Sequence, residues 1–112
     1  MRMWMLAPNL LCNKHLLGEH GEIHKHKHNF EKHHSISGRL FPIVQIEPTS
    51  MESRHDSLAD EMLSRGMNHK SPYSLPDLSY LESSLNNSKV NLEISIIDLS
   101  GRCSECAKRM EN

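Results

Sequence analysis

Leu16, Ile23 and Phe30 recur every seven residues through a stretch otherwise built, Leu17 apart, of His, Lys, Glu, Asn and Gly. That spacing fits one face of an α-helix and not a strand, whose sides alternate every second residue. The chain has 112 residues, only 37% of them hydrophobic, so few other apolar faces are available to pair with this one. The spacing predicts a long helix over about residues 13–34, with Leu17 widening the stripe. Gly18 and Gly21 fall inside it, and each costs about 1 kcal/mol relative to Ala. They mark either a marginal helix or a place of close approach.

Beyond this helix, Ser35, Ser37, Gly38, Pro42 and Pro48 punctuate a loop over residues 35–48. Ile43–Ile46 could make a short strand there or pack over the core. Thr49 stands three residues before Glu52, a capping-box spacing. It opens a second helix whose face is Met51, His55, Leu58 and Met62, stopped by Gly66. Ser74 and Asp77 suggest a cap for a short third helix carrying Leu78, Leu81 and Leu85. Val90, Leu92, Ile94 and Ile96 alternate like a strand, while Val90, Ile94 and Ile97 fit a helix. With no convincing partner strand, the helix is preferred. The expectation is an all-α fold: a small compact bundle of three to four helices with a long loop after the first. It forms one domain over residues 1–100, followed by a polar, fraying tail over 101–112.

Thirteen Lys and Arg against fourteen Asp and Glu give a formal charge of −1. This excludes a simple polybasic nucleic-acid binder but not a local basic face, because nine His make the charge strongly pH-dependent. Affinity for an anionic polymer would then rise as pH falls through the His range. No apolar run approaches the ~20 residues of a membrane span. The opening Met1-Arg2-Met3-Trp4-Met5-Leu6-Ala7-Pro8 is too short and broken for a signal peptide. Three Cys cannot all pair within one chain, and such low usage fits a reducing compartment. The cytoplasm is the expected location, or a host cytoplasm if the chain is virus-encoded.

Three constellations could carry chemistry. His20, His24 and His28 lie at i, i+4 and i+8, a spacing able to chelate a transition metal. The same residues also suit a solvated His/Lys surface. The zincin pattern fails, since Glu22 is two residues after His20 and not one. Cys103 and Cys106 form a lone Cys-x-x-Cys: a zinc site there would need Cys12 or a His to complete it, and otherwise they are two free thiols. Glu19 and Glu22, at i and i+3 with His15, His26 and Lys25 nearby, make either an acid/base surface or an ordinary solvated face.

Longer strings are more specific. Met1-Arg2 followed by Leu10-Leu11-Cys12-Asn13-Lys14-His15-Leu16-Leu17-Gly18-Glu19-His20-Gly21-Glu22-Ile23-His24 resembles the phage pyrimidine-dimer DNA glycosylase (endonuclease V type) family. Arg54-His55-Asp56-x-Leu58-x-x-Glu61-Met62-x-x-Arg65-Gly66-Met67-Asn68-His69-Lys70-Ser71-Pro72 is similar to the matching block of its short relatives. The resemblance covers roughly residues 1–78. It implies a compact helical enzyme that cuts the glycosidic bond at a damaged pyrimidine and then breaks the strand at the abasic site. By position, the nucleophile is the α-amine of Met1 and the assisting carboxylate is Glu22. Arg2, His15 and Lys25 fall at DNA-contacting or basic positions of the family motif. No cofactor and no metal is implied. The partner is double-stranded DNA with damaged or abasic sites, met by a monomer.

The chemistry suits these groups. A free α-amine has a pKa near 8, so roughly a quarter is unprotonated at pH 7.5, whereas Lys near 10.4 is almost wholly charged. Arg2 is too large for initiator-Met removal, so Met1 is expected to remain. Departures from the family pattern include Gly21 where an Arg is usual, and a C-terminal tail without aromatic residues. Both remove lesion contacts and imply weak preference for dimers over abasic sites. Two other readings stay open: a His-rich metal-binding protein, and a non-catalytic DNA-binding relative of the same fold.

Overall fold

A computed structural model describes residues 2–69 and 71–111. Among them there is no strand, and the chain is all-α, with five helices, four of seven or more residues. The first helix, α1 (Asn13–Glu31), forms where the seven-residue stripe predicts it. Leu16, Ile23 and Phe30 are all fully buried, whereas Leu17 is 47% exposed and does not widen the buried face. α1 ends three residues earlier than expected. His33 takes φ +55°, and the His33 and His34 amides donate to the Phe30 and Asn29 carbonyls at 3.1 and 2.9 Å. This crossed pair of bonds is a Schellman stop, with His in the left-handed place that Gly usually fills.

The second helix, α2 (Met51–Ser64), buries Met51, His55, Leu58 and Met62 on one face, as their spacing predicts. It ends in the same kind of stop, with Gly66 at φ +82° and the Met67 amide 3.0 Å from the Met62 carbonyl. Its start differs from expectation. Thr49 does not cap it: Pro48–Ser50 form a 3-10 turn and Ser50 is the cap residue. The Ser50 hydroxyl donates to Glu47 Oε1 at 2.8 Å, and the Val90 amide donates to Glu47 Oε2 at 2.7 Å. Buried Glu47 thus ties the start of α2 to the distant segment before the last helices.

Residues 35–47 hold one short 3-10 turn (Ser37–Arg39) and no strand at Ile43–Ile46. The expected third helix shrinks to α3 (Ser83–Asn86); Leu78 is buried, but in an irregular segment. The ambiguous segment is helical: α4 (Leu92–Arg102) is capped by the Asn91 side chain, which accepts from the Ile94 amide at 3.0 Å. The tail expected to fray is instead helix α5 (Ser104–Met110), packed against α4 and the Pro8–Leu10 turn. Its buried Cys106 supplies the reason, because the Cys12 amide donates to Cys106 Sγ at 3.2 Å. Polar composition alone does not reveal that anchor.

α1 packs on α2, and between them lies a buried ion pair. Arg54 Nε and Nη2 donate to Glu19 Oε2 and Oε1 at 2.6 and 3.0 Å, while Nη1 donates to the Leu6 carbonyl at 2.6 Å. Both side chains are nearly inaccessible. Removing one partner of such a pair leaves an uncompensated charge in the interior. Arg54→Met is therefore expected to lower stability by about 3–5 kcal/mol in urea titration. Lys108→Ala, which breaks the solvated pair with Glu105, should shift it by less than about 1 kcal/mol.

Candidate active site

The loop after α1 holds the N-terminal segment in place. The Met3 amide donates to the Gln45 carbonyl at 2.8 Å, and the Glu47 amide lies 3.3 Å from Met3 Sδ. The Gln45 amide donates to the Arg39 carbonyl at 2.7 Å, and Arg39 Nη1 reaches Gln45 Oε1 at 3.4 Å. These bonds hold the segment next to Arg2 and join Arg39 to Gln45. Arg2 donates to Ser95 Oγ at 3.0 Å, stands 3.7 Å from Asp98 and lies over the Trp4 ring at 5.0 Å. It lines a groove of about 190 Å³ with Ile43, Gln45, Asp98 and Arg102.

Glu22 projects from α1 on the side facing Arg39. Its Oε1 lies 3.4 Å from His26 Nε2 and 4.0 Å from Arg39 Nη2. The side chain is 11% exposed, yet Oε1 and His26 Nε2 are both buried without a hydrogen-bond partner. The contact is thus electrostatic proximity and not a formed hydrogen bond. Burial pushes the His26 pKa down, opposed by Glu22 and reinforced by Arg39 and Lys25. With its charged form disfavoured, His26 is a weak ion-pair partner for the carboxylate. Lys25, one turn further along this face, is exposed. Met1 lies outside the described residues.

Glu19 and Glu22, equivalent in the sequence, separate completely. Glu19 is consumed by Arg54 in the α1–α2 interface, and Glu22 keeps an unsatisfied oxygen. His15 turns toward the cysteines: its Nδ1 is 3.2 Å from Cys12 Sγ and 3.6 Å from Cys106 Sγ. The Trp4 ring meets it edge-on at 6.0 Å.

The His20/His24/His28 row does not act as a unit. His28 is exposed near His34, whereas His20 and His24 turn inward to meet His55 of α2 and His69. Burial, then the neighbouring His24, His55 and His69, pushes His20 down to about 4. Burial likewise lowers His24 and His15. His20 therefore stays neutral at pH 6, and His24 and His15 take up a proton less readily than a free imidazole. Sequence reasoning also missed Arg39 and Gln45, whose position depends on the loop path. It missed His69 too, whose approach to α1 depends on the turn at Gly66.

The family model described as pyrimidine dimer DNA glycosylase matches residues 1–75. The chain belongs to this family. Its general activity is therefore excision at pyrimidine dimers, with damaged DNA as the partner. No curated protein and no solved structure matches the chain.

Gly21 sits between His20 and Glu22, exposed in mid-helix, and a Cβ built there meets nothing within 4 Å. No packing requirement thus explains it. Gly21→Ala is expected to raise stability by up to about 1 kcal/mol through helix propensity, read as a higher urea midpoint at unchanged slope.

Proposed function

We propose that the chain is a DNA glycosylase and abasic-site lyase in which the Met1 amine is the nucleophile and Glu22 manages the protons. The observation that carries this reading is the Glu22 carboxylate beside Arg39 and His26, with one buried oxygen that has no hydrogen-bond partner among the described residues. Buried acceptors are rarely left unpaired unless they are used.

The amine attacks C1′ of the damaged nucleotide's sugar. The glycosidic bond breaks with its electron pair leaving on the base, and loss of a proton from nitrogen with ring opening gives a Schiff base. Glu22 stabilises positive charge developing at the sugar and then accepts a proton. Removal of the C2′ proton expels the 3′ phosphate by β-elimination, and water releases the enzyme. Exposed Lys25 on the Glu22 face supplies a cation for the DNA backbone, while Arg2, buried and paired with Ser95 and Asp98, holds the N-terminal segment at the groove it lines. Reaching C1′ within a duplex requires unstacking, which costs a few kcal/mol and favours damaged sites. Without an Arg at position 21, abasic DNA is the better substrate and dimer-containing DNA the poorer one.

Borohydride reduction of the enzyme on abasic duplex should trap a covalent adduct whose peptide contains Met1. An adduct at Lys14 or Lys25 overturns the assignment, and no adduct at all favours the non-catalytic relative. Glu22→Gln preserves shape, so its melting temperature should stay within a few degrees while turnover falls by roughly 10² or more. Equal loss of stability would make Glu22 structural. Gly21→Arg should improve cutting of dimer DNA and steepen the dependence of log K on log salt by nearly one unit.

A further inference from the structure

The structure assigns a zinc site to Cys12, His15, Cys103 and Cys106, in which Cys12 and His15 complete the lone Cys-x-x-Cys of the C-terminal segment. Two short motifs build it. Cys12-x-x-His15 opens α1 and Cys103-x-x-Cys106 opens α5, with Cys12 and Cys103 each at the N-cap. The four ligand atoms lie within 4.8 Å of one another. Cys12 Sγ is 3.7 Å from Cys103 Sγ, and Cys106 Sγ is 3.6 Å from His15 Nδ1. Zinc bonds of about 2.3 Å to sulfur and about 2.05 Å to nitrogen define a tetrahedron with edges of roughly 3.8 Å (S to S) and roughly 3.5 Å (S to N). The observed edges match those of a shell around one ion. Cys12 Sγ to His15 Nδ1, at 3.2 Å, is slightly short of that edge.

Backbone amides reach two of the sulfurs, although burial pushes the ion-free Cys106 thiol up to about 12. The Cys12 amide points at Cys106 Sγ at 3.2 Å, and the Cys106 amide at Cys103 Sγ at 3.4 Å. Amide donors and the positive end of α1 both favour anionic sulfur. A disulfide between Cys12 and Cys103 would leave the convergence of His15 and Cys106 unexplained. Three thiolates and one imidazole are a common structural zinc set, and four protein ligands leave no open position for catalysis. The ion fastens α5 to the start of the helix that carries Glu22. It holds whether or not the chain cuts DNA.

A separate observation carries a second transition-metal site, made of His20, His24, His55 and His69. Their ring nitrogens also lie within 4.8 Å of one another. His69 Nε2 is 2.9 Å from His20 Nε2 and 3.2 Å from His55 Nε2. A neutral ring nitrogen offers one hydrogen or one lone pair, so it cannot serve both neighbours. His24 Nε2 is buried with no well-formed hydrogen bond among the described residues. Asp56 Oδ1, 3.0 Å from His55 Nδ1, supplies the carboxylate that commonly orients a metal-binding His. His55 Nε2 also lies 3.0 Å from the Ser71 carbonyl, a contact that metal binding would replace.

One set of measurements reads both sites. Full-length protein, purified reduced and dialysed against metal-free buffer, should hold two zinc ions per chain by elemental analysis. Exchange with cobalt should give the intense near-ultraviolet absorption of thiolate-to-cobalt charge transfer, which an all-imidazole site cannot produce. Cys103→Ser with Cys106→Ser should lose one metal and that absorption. His55→Gln with His69→Gln should lose one metal and keep it. Reduced wild-type protein that is folded without metal and gives no thiolate–cobalt absorption overturns the cysteine site. An unchanged metal count in the His variant overturns the imidazole site. If the Cys variant does not fold, Cys106→His keeps a fourth ligand and should keep the metal with weakened charge transfer. If the His variant does not fold, cobalt added to metal-free wild-type protein must bind at two ions per chain, and one ion overturns the imidazole site. Chelation of wild-type protein should lower its melting temperature by roughly 10 °C or more; no change overturns a structural role for either ion.

Discussion

The fold rests on the ion pair between Glu19 and Arg54. A bidentate guanidinium–carboxylate contact has one geometry, so it sets the distance and rotation of α1 against α2. The third bond from Arg54, to the Leu6 carbonyl, brings the N-terminal segment into the same arrangement. Three parts of the chain are thereby placed by one buried side chain. Apolar packing alone is more permissive, since stripes as thin as Leu16/Ile23/Phe30 tolerate sliding and rotation.

Once α1 is fixed against α2, its circumference divides into roles. Positions 16, 23 and 30 fill the core, while 19, 20 and 24 face α2. Position 22 turns toward the loop that carries Arg39. The proposed chemistry needs this division, because a carboxylate held by a full salt bridge cannot exchange protons with a substrate. Glu19 is spent on architecture, and Glu22 keeps one buried oxygen with no hydrogen-bond partner among the described residues. The N-terminal segment is held to the same loop by the Met3–Gln45 bond, which brings Arg2 to a groove that Gln45 also lines.

A structure measuring 41 × 33 × 16 Å is flat, and a flat body buries less than a sphere of equal volume. Its apolar residues are few, and α4 leaves Leu92, Ile94, Ile96 and Ile97 exposed. Polar devices do much of the joining: Glu47 links α2 to Val90, Arg54 links α1, α2 and Leu6, and Arg65 reaches the Leu11 carbonyl at 2.7 Å. The Cys and His clusters sit at two further joints, between α1 and α5 and between α1 and α2. Metal ions at those places would reinforce the same kind of joint.

Local pattern settled the helical class, the spans of α1 and α2 to within a few residues, their buried faces and the stop at Gly66. Periodicity, caps and stops act over one to three turns, so they can be read from neighbouring residues. The strings around Glu22 and His55 likewise carried the family, which the match over residues 1–75 establishes. Tertiary structure alone decided which carboxylate is paired and which His are buried. It also turned a polar tail into a docked helix. Cys12 and Cys103 stand 91 positions apart, and their meeting depends on the path of every loop between them. The spacing of each half motif was visible, but a short motif contains no information about its distant partner. That information arises only when packing of the whole chain closes the loops.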